Sequence, residues 1–292
     1  MAGRLEICVD SFESAANAVE GGECGISLLR KLLRGFNYRS IRLRLCHKGT
    51  QRTTRAGIGA DQLEVCSALC MGGLTPSIGL VRRIRAAYPK MPLFIMLRPR
   101  PGDFVYTDDE IQVMCEDMRS MKQVGVTGFV FGVLDSTGAL DVASCERLIQ
   151  SARPAPCTLH RAFDFVKDWK ATVEEAIKLG FKTILTSGQA ATAMDGVTRL
   201  KKIHKEADNK INILVGSGVT SKTLPVLLSD TGCSWFHGSA SVPVQPKSAR
   251  NGFTVGSHDT NVQRVTDKEE VGRMKDQLRA YFGSRPIVTP YY

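Results

Sequence analysis

Arg4-Leu5-Glu6-Ile7-Cys8-Val9 runs directly into Asp10-Ser11-Phe12-Glu13. The first six residues read as a β-strand, and a first helix is expected over Glu13–Glu20. No glycine stands between them. A doubly wound dinucleotide-binding sheet needs a glycine-rich turn at this junction, where pyrophosphate approaches the backbone. That fold is therefore the weaker alternative. Seven further strands are expected at Gln62–Ser67, Leu93–Arg98, Gly128–Val133, Cys157–Arg161, Lys182–Ser187, Asn212–Gly216 and Ser234–Gly238, most of them bounded by Gly, Pro, Asp or Ser. Helices are expected between them, at Ile78–Tyr88, Asp108–Val124, Asp141–Ala152, Trp169–Leu179, Ala191–Ala207 and Ser221–Ser229, with a last one over Asp267–Phe282. Trp169, Val173 and Ile177 recur at fourfold spacing as one apolar stripe. Gly125 and Gly180 stand where helices stop. Eight strands alternating with helices predict an α/β fold, a TIM-type (β/α)8 barrel, as a single domain over residues 1–292.

The chain has 292 residues, 43% hydrophobic and 23% charged, ordinary values for a globular protein. No apolar run approaches the ~20 residues that cross a bilayer, so no membrane association is expected. The N-terminus shows no secretory signal, so the expected setting is cytoplasmic, or nuclear. Nine cysteines in such a chain read as reduced thiols and not as a disulfide framework. The net charge of +10 suggests nucleic acid at first sight, but its distribution argues against that. Nine basic residues and the single acid Glu23 lie within Glu23–Ile58, and the rest of the chain is close to neutral. This basic insert, 23–58, joins the first helix to the second strand, a link that usually takes ~2–6 residues. Its composition fits a surface loop, an anchor for nucleic acid or anionic lipid, or a gene-model artefact. Residues 241–266 read as a long C-terminal loop rich in Ser, Pro, Asn and Gly.

Leu5-Glu6-Ile7-Cys8 repeats as Leu63-Glu64-Val65-Cys66. Side chains alternate along a strand, so Leu5, Ile7, Leu63 and Val65 share one face and Glu6, Cys8, Glu64 and Cys66 the other. The aliphatic face must meet the helices, so the Glu/Cys face points into the barrel. Cys8 and Cys66 then sit on adjacent strands near the upper rim, although barrel shear displaces them along the axis. Two reduced thiols facing a closed interior suit a soft ion of low coordination, and Cu(I) is such an ion. Zinc calls for four ligands and closer Cys or His pairs, and the chain has no CxxC. The plainer alternative is that both are small core residues. Cys70 and Met71 add sulfur nearby.

Buried carboxylates need a cation or a proton. Arg98, at the end of the third expected strand, shares parity with Met96; His160 and Arg161 end the fifth, with Asp164 after them; His237 ends the eighth. Polar residues gathering at strand C-termini read as a functional site in this fold. The catalytic candidates are Glu6, Glu64, Arg98, His160, Asp164 and His237. The turns Gly216-Ser217-Gly218 and Gly238-Ser239 are a weak anion-site signal, with Gly216, Gly218, Gly238 and Ser239 as the candidates. Arg98-Pro99-Arg100-Pro101-Gly102-Asp103-Phe104 reads as a stiff rim loop.

Taken in order, Glu6-Ile7-Cys8-Val9-Asp10-Ser11, Leu63-Glu64-Val65-Cys66-Ser67, Gly72-Gly73-Leu74-Thr75-Pro76-Ser77, the segment Arg98–Tyr106, Val130-Phe131-Gly132, His160-Arg161-Ala162-Phe163-Asp164, Leu185-Thr186-Ser187-Gly188 and Phe236-His237-Gly238-Ser239-Ala240 resemble the CutC copper homeostasis protein family. The resemblance implies a TIM-type barrel, a cytoplasmic homo-oligomer (dimer or tetramer) and Cu(I) held by cysteines that match Cys8 and Cys66. Three departures stand out. The insert 23–58 is not a family feature, Ser241 stands where the family has an arginine, and Cys70 is an added sulfur. Two functions are consistent with these residues. One is Cu(I) buffering, trafficking or tolerance. The other is a reaction on a small anionic substrate, with Glu64 or Glu6 as base, His160 as acid/base and Arg98 as anchor. Nucleic-acid binding through the insert is a weaker third.

Overall fold

A computed structural model describes residues 3–21, 59–245 and 262–283. Eight parallel strands close into a barrel in sequence order: β1 (Arg4–Val9), β2 (Gln62–Val65), β3 (Leu93–Met96), β4 (Gly128–Phe131), β5 (Cys157–Leu159), β6 (Thr183–Thr186), β7 (Asn212–Val215) and β8 (Trp235–Gly238). β8 pairs with β1 through Glu6↔His237, which completes the ring. Each expected strand is present. Most end a residue or two before the sequence pattern does, because their upper ends leave the ladder to form the rim.

Helices α1 (Phe12–Glu20), α2 (Ile78–Ala87), α3 (Asp108–Gln123), α4 (Val142–Ala152), α5 (Trp169–Leu179), α6 (Val197–Ala207), α7 (Leu224–Thr231) and α8 (Lys268–Phe282) surround the strands. Several start on a side chain that satisfies free N–H groups. Thr107 and Glu110 form a reciprocal capping box before α3, and Asp168 accepts from Lys170 and Ala171 before α5. α6 begins at Val197 and not at Ala191. The chain passes so close to Ser187 at Gly196 that a β-carbon there would stand 1.9 Å from the Ser187 carbonyl oxygen, and the helix starts only beyond this crossing. α7 begins at Leu224, with proline in its first turn.

The parity reading holds on both faces. Leu5, Ile7, Leu63, Val65, Leu93, Ile95, Phe129 and Phe131 pack against the helix ring, essentially without exposure. Burying each phenylalanine contributes ~2–3 kcal/mol. Cys66, Phe94, Met96 and Val130 form a separate cluster inside the barrel. Gly128 makes room for it: a β-carbon there would lie 2.5 Å from the Phe94 ring. Phe94 stands opposite Glu64, and Cys66 and Met96 lie nearer the C-terminal ends of their strands, so this cluster walls the polar groups on the β2–β4 side.

The stretch 241–266 is not a loop throughout. Ser241–Val244 (β9) pairs antiparallel with Gln263–Thr266 (β10). Val242 and Val265 pair across this ribbon, and the polar composition of the wider stretch obscures it. Thr266 anchors it to α1: its N–H donates to Ser14 Oγ at 3.1 Å and its carbonyl accepts from Asn17 Nδ2 at 2.8 Å. The basic insert 23–58 and residues 246–261 lie outside the described residues. No helix among the described residues is long and apolar enough to cross a membrane.

Candidate metal centre

Strand register decides which lumen residues meet. Cys8 lies opposite Glu64 and Glu6 opposite Gln62, while β8 places His237 opposite Glu6. As a result Cys8 Sγ, a Glu64 carboxylate oxygen and a His237 ring nitrogen lie within 4.8 Å of one another. His237 Nδ1 is 2.7 Å from Glu6 Oε1, and its Nε2 is 3.7 Å from Glu64 Oε2. Gln62 Nε2 donates to Glu6 Oε2 at 2.5 Å. Cys66 stands two residues beyond Glu64 on the same face, and its thiol donates to Glu64 Oε2 at 3.5 Å.

These groups set one another's protonation. Burial favours the neutral acid at Glu64 and raises it to about 7, although His237 pulls the other way. Burial opposes charge on His237, but Cys8, Glu64 and the hydrogen bonds to Cys8 and Glu6 outweigh it and hold the imidazole well above its usual range. Burial, then Glu64 and Cys8, push the Cys66 thiol well above the ordinary thiol value. Cys66 is therefore protonated near neutrality.

Above this cluster a cavity of about 1070 Å³ opens at the C-terminal ends of the strands. Cys8, Glu64, Arg98, His160 and His237 all line it. Arg98 Nη1 donates to Met71 O at 2.9 Å and Gly73 O at 3.3 Å, and Nη2 donates to Gly102 O at 2.9 Å. The rim loop and the Gly72-Gly73 turn thus fix the guanidinium from both sides. His160 Nδ1 accepts from Ala162 N at 3.2 Å. Burial, then the neighbouring Arg98, lower His160 to about 3, so it is neutral.

The remaining candidates are distributed differently. Asp164 accepts from Arg161, Thr186, Ser187 and Gln189 and ties the turn after β5 to the turn after β6; it is not on the cavity wall. Gly218, Gly238 and Ser239 line the cavity, whereas Gly216 packs on Leu185, where a β-carbon would stand 2.6 Å from a methyl group. Cys70 is exposed on the cavity wall. Sequence reasoning missed Arg264. The β9–β10 ribbon brings it to the same rim, where its Nε donates to Ser241 Oγ at 3.1 Å. A guanidinium therefore stands beside the serine that replaces the family's arginine. Their separation of 23 positions along the chain hid this pairing from sequence reading.

Fold and site together define a (β/α)8 barrel with a buried cysteine, carboxylate and imidazole cluster beneath an open C-terminal cavity. A profile of the CutC family matches residues 41–242. The chain is 42% identical over 275 residues to the copper homeostasis protein cutC homolog of Caenorhabditis elegans, covering 94% of this chain and 95% of that protein. It is 37% identical over 236 residues to the Homo sapiens copper homeostasis protein cutC homolog, covering 81% of this chain and 72% of that one. Among solved structures, the putative copper homeostasis protein CutC from Streptococcus agalactiae superposes with a TM-score of 0.63 at 25% identity, covering 81% of this chain and 98% of that one. The chain belongs to the CutC family of copper homeostasis proteins. The matched span contains Glu64, Cys66, Arg98, His160 and His237; Glu6 and Cys8 precede it.

Proposed function

We propose that the protein binds monovalent copper as cargo at the base of this cavity and buffers or carries it in the cytoplasm, with Cys8 and Cys66 as the sulfur ligands and His237 beside them. One observation carries the reading: Cys8, Glu64 and His237 converge within 4.8 Å, with Cys66 hydrogen-bonded to the same Glu64. Thiolate sulfur and imidazole nitrogen suit a soft monovalent ion, and the carboxylates are better suited to holding protons here. Binding at Cys66 requires its thiol proton to leave. Glu64 Oε2 already accepts that proton's hydrogen bond and is the group placed to take it. Glu6 holds the imidazole of His237 in place.

The test is anaerobic Cu(I) titration of the reduced protein against a chelator, followed by copper-edge absorption spectroscopy. The Cys8→Ser, Cys66→Ser double variant is expected to fold and to lose binding, with sulfur disappearing from the copper shell. Unchanged stoichiometry in that variant refutes the reading.

A further inference from the structure

We propose that the cavity also receives a small carboxylate-bearing metabolite, its carboxylate taken by Arg98 and His160. The inference is independent of copper and rests on unsatisfied groups. Among the described residues, Arg98 Nε, His160 Nε2 and Glu64 Oε1 are buried and have no hydrogen-bond partner, and all three residues line the one cavity. A buried polar group without a partner costs ~1–3 kcal/mol, and a buried charge costs more. Three such groups on residues that line one space mark a place where a ligand can complete the bonding.

Their chemistry defines the ligand. Arg98 is 7% exposed, and its guanidinium donates to three backbone carbonyls with the Tyr106 hydroxyl beside it; no described carboxylate lies within ion-pair distance of it. His160 Nδ1 accepts a hydrogen bond, which leaves the ring proton on Nε2, a second donor. The two side chains are neighbours on one aromatic ring. Arg98 Cζ lies 5.1 Å from the Phe104 centroid, and the His160 ring stands edge-on to it at 4.8 Å. Two N–H donors, one charged and one neutral, form an oxyanion receptor carrying a single positive charge. A monoanion balances that charge. A phosphate dianion leaves surplus negative charge beside Glu64 and Glu6, so a carboxylate fits better. Glu64 Oε1 offers a partner to a hydroxyl on the same molecule, which favours a hydroxy acid over a plain one.

The test follows the His160 Nε2–H resonance in histidine-labelled, reduced, copper-free protein by ¹⁵N NMR. The probes are acetate, lactate, acetamide and inorganic phosphate. Acetate and lactate are expected to shift the resonance saturably, lactate the more tightly, with acetamide and phosphate silent. Arg98→Met is expected to weaken lactate at least tenfold, the scale of a charge-assisted hydrogen bond. If that variant does not fold, His160→Gln, read by lactate line broadening, must show a comparable loss. Silence of both carboxylates through the millimolar range overturns the proposal. So does binding of phosphate in their place, or a lactate affinity indifferent to the variant used.

Discussion

Acidification tests the burial of His160. The imidazole titrates near 6.5 in an unfolded chain and at about 3 in the folded one, because burial and then Arg98 disfavour its charge. On lowering the pH through 6.5 the unfolded chain takes up a proton that the native protein refuses, so this residue's contribution to stability falls, and it goes on falling until about pH 3. The slope is about 1.36 kcal/mol per pH unit, so the loss between pH 7 and pH 5 is about 2 kcal/mol. The wild-type curve alone conceals this. Glu64, raised to about 7, works in the opposite sense: the native protein takes up its proton first, and stability rises as the pH falls from 7 toward 4.5. Between about pH 6.5 and 4.5 the two slopes nearly cancel. The informative quantity is the stability of wild type minus that of His160→Gln, whose amide oxygen can still accept from Ala162 but whose side chain does not titrate. Urea denaturation under reducing conditions, followed by far-ultraviolet circular dichroism, is expected to show this difference shrinking by about 2 kcal/mol from pH 7 to pH 5. A difference constant to within about 0.5 kcal/mol refutes the burial argument, and with it the assignment of a neutral Nε2–H donor.

Two further outcomes concern the frame. Lys275 of α8 is buried, with Nζ 2.5 Å from Asp61 Oδ1, while Asp61 Oδ2 accepts from Leu5 N at 2.7 Å. Lys275→Met strands that carboxylate and is expected to cost about 3 kcal/mol in urea denaturation, with Asp61→Asn restoring part of the loss in the double variant. Deleting residues 23–58 is expected to leave the barrel's circular dichroism intact and its Tm within about 5 °C, because loop closure depends weakly on length. The described residues on either side already meet: Ala60 N donates to Ala18 O at 2.9 Å. Loss of cooperative unfolding in the deletion variant shows that the segment belongs to the core.

The barrel was legible because its signal is local. Alternation within six residues separates Leu5 and Ile7 from Glu6 and Cys8, and it does so wherever the strand lies. That reasoning correctly sent Glu64, Cys66 and Met96 inward. It does not reach register, which depends on closure of all eight strands and the shear this imposes. Sequence therefore paired Cys8 with Cys66 by position in the repeat, whereas the ladder sets Cys8 opposite Glu64. His237 was legible as a strand-end histidine. Its place between Glu6 and Glu64 was not, because β8 meets β1 only when the ring closes. Arg264 escaped for a similar reason, since its position depends on a β-ribbon within a stretch whose composition reads as loop.

Charge within the lumen also bears on which ion the site favours. Glu6 and the raised His237 compensate each other at 2.7 Å, and Glu64 lies close to its own protonation point at neutral pH. Negative charge is thus matched on the β1, β2 and β8 side. Across the cavity Arg98 has no carboxylate partner among the described residues, so the unmatched charge is positive. A divalent ion held by both Cys8 and Cys66, with both thiol protons released, leaves the charge of the site unchanged and the guanidinium still unmatched. A monovalent ion held by both sulfurs, with both thiol protons released, changes the charge of the site by −1, and the Arg98 guanidinium across the cavity offsets that change. Thiolate softness alone does not separate monovalent copper from zinc; for the two-sulfur site proposed above, the unmatched guanidinium is a second consideration in favour of the monovalent ion.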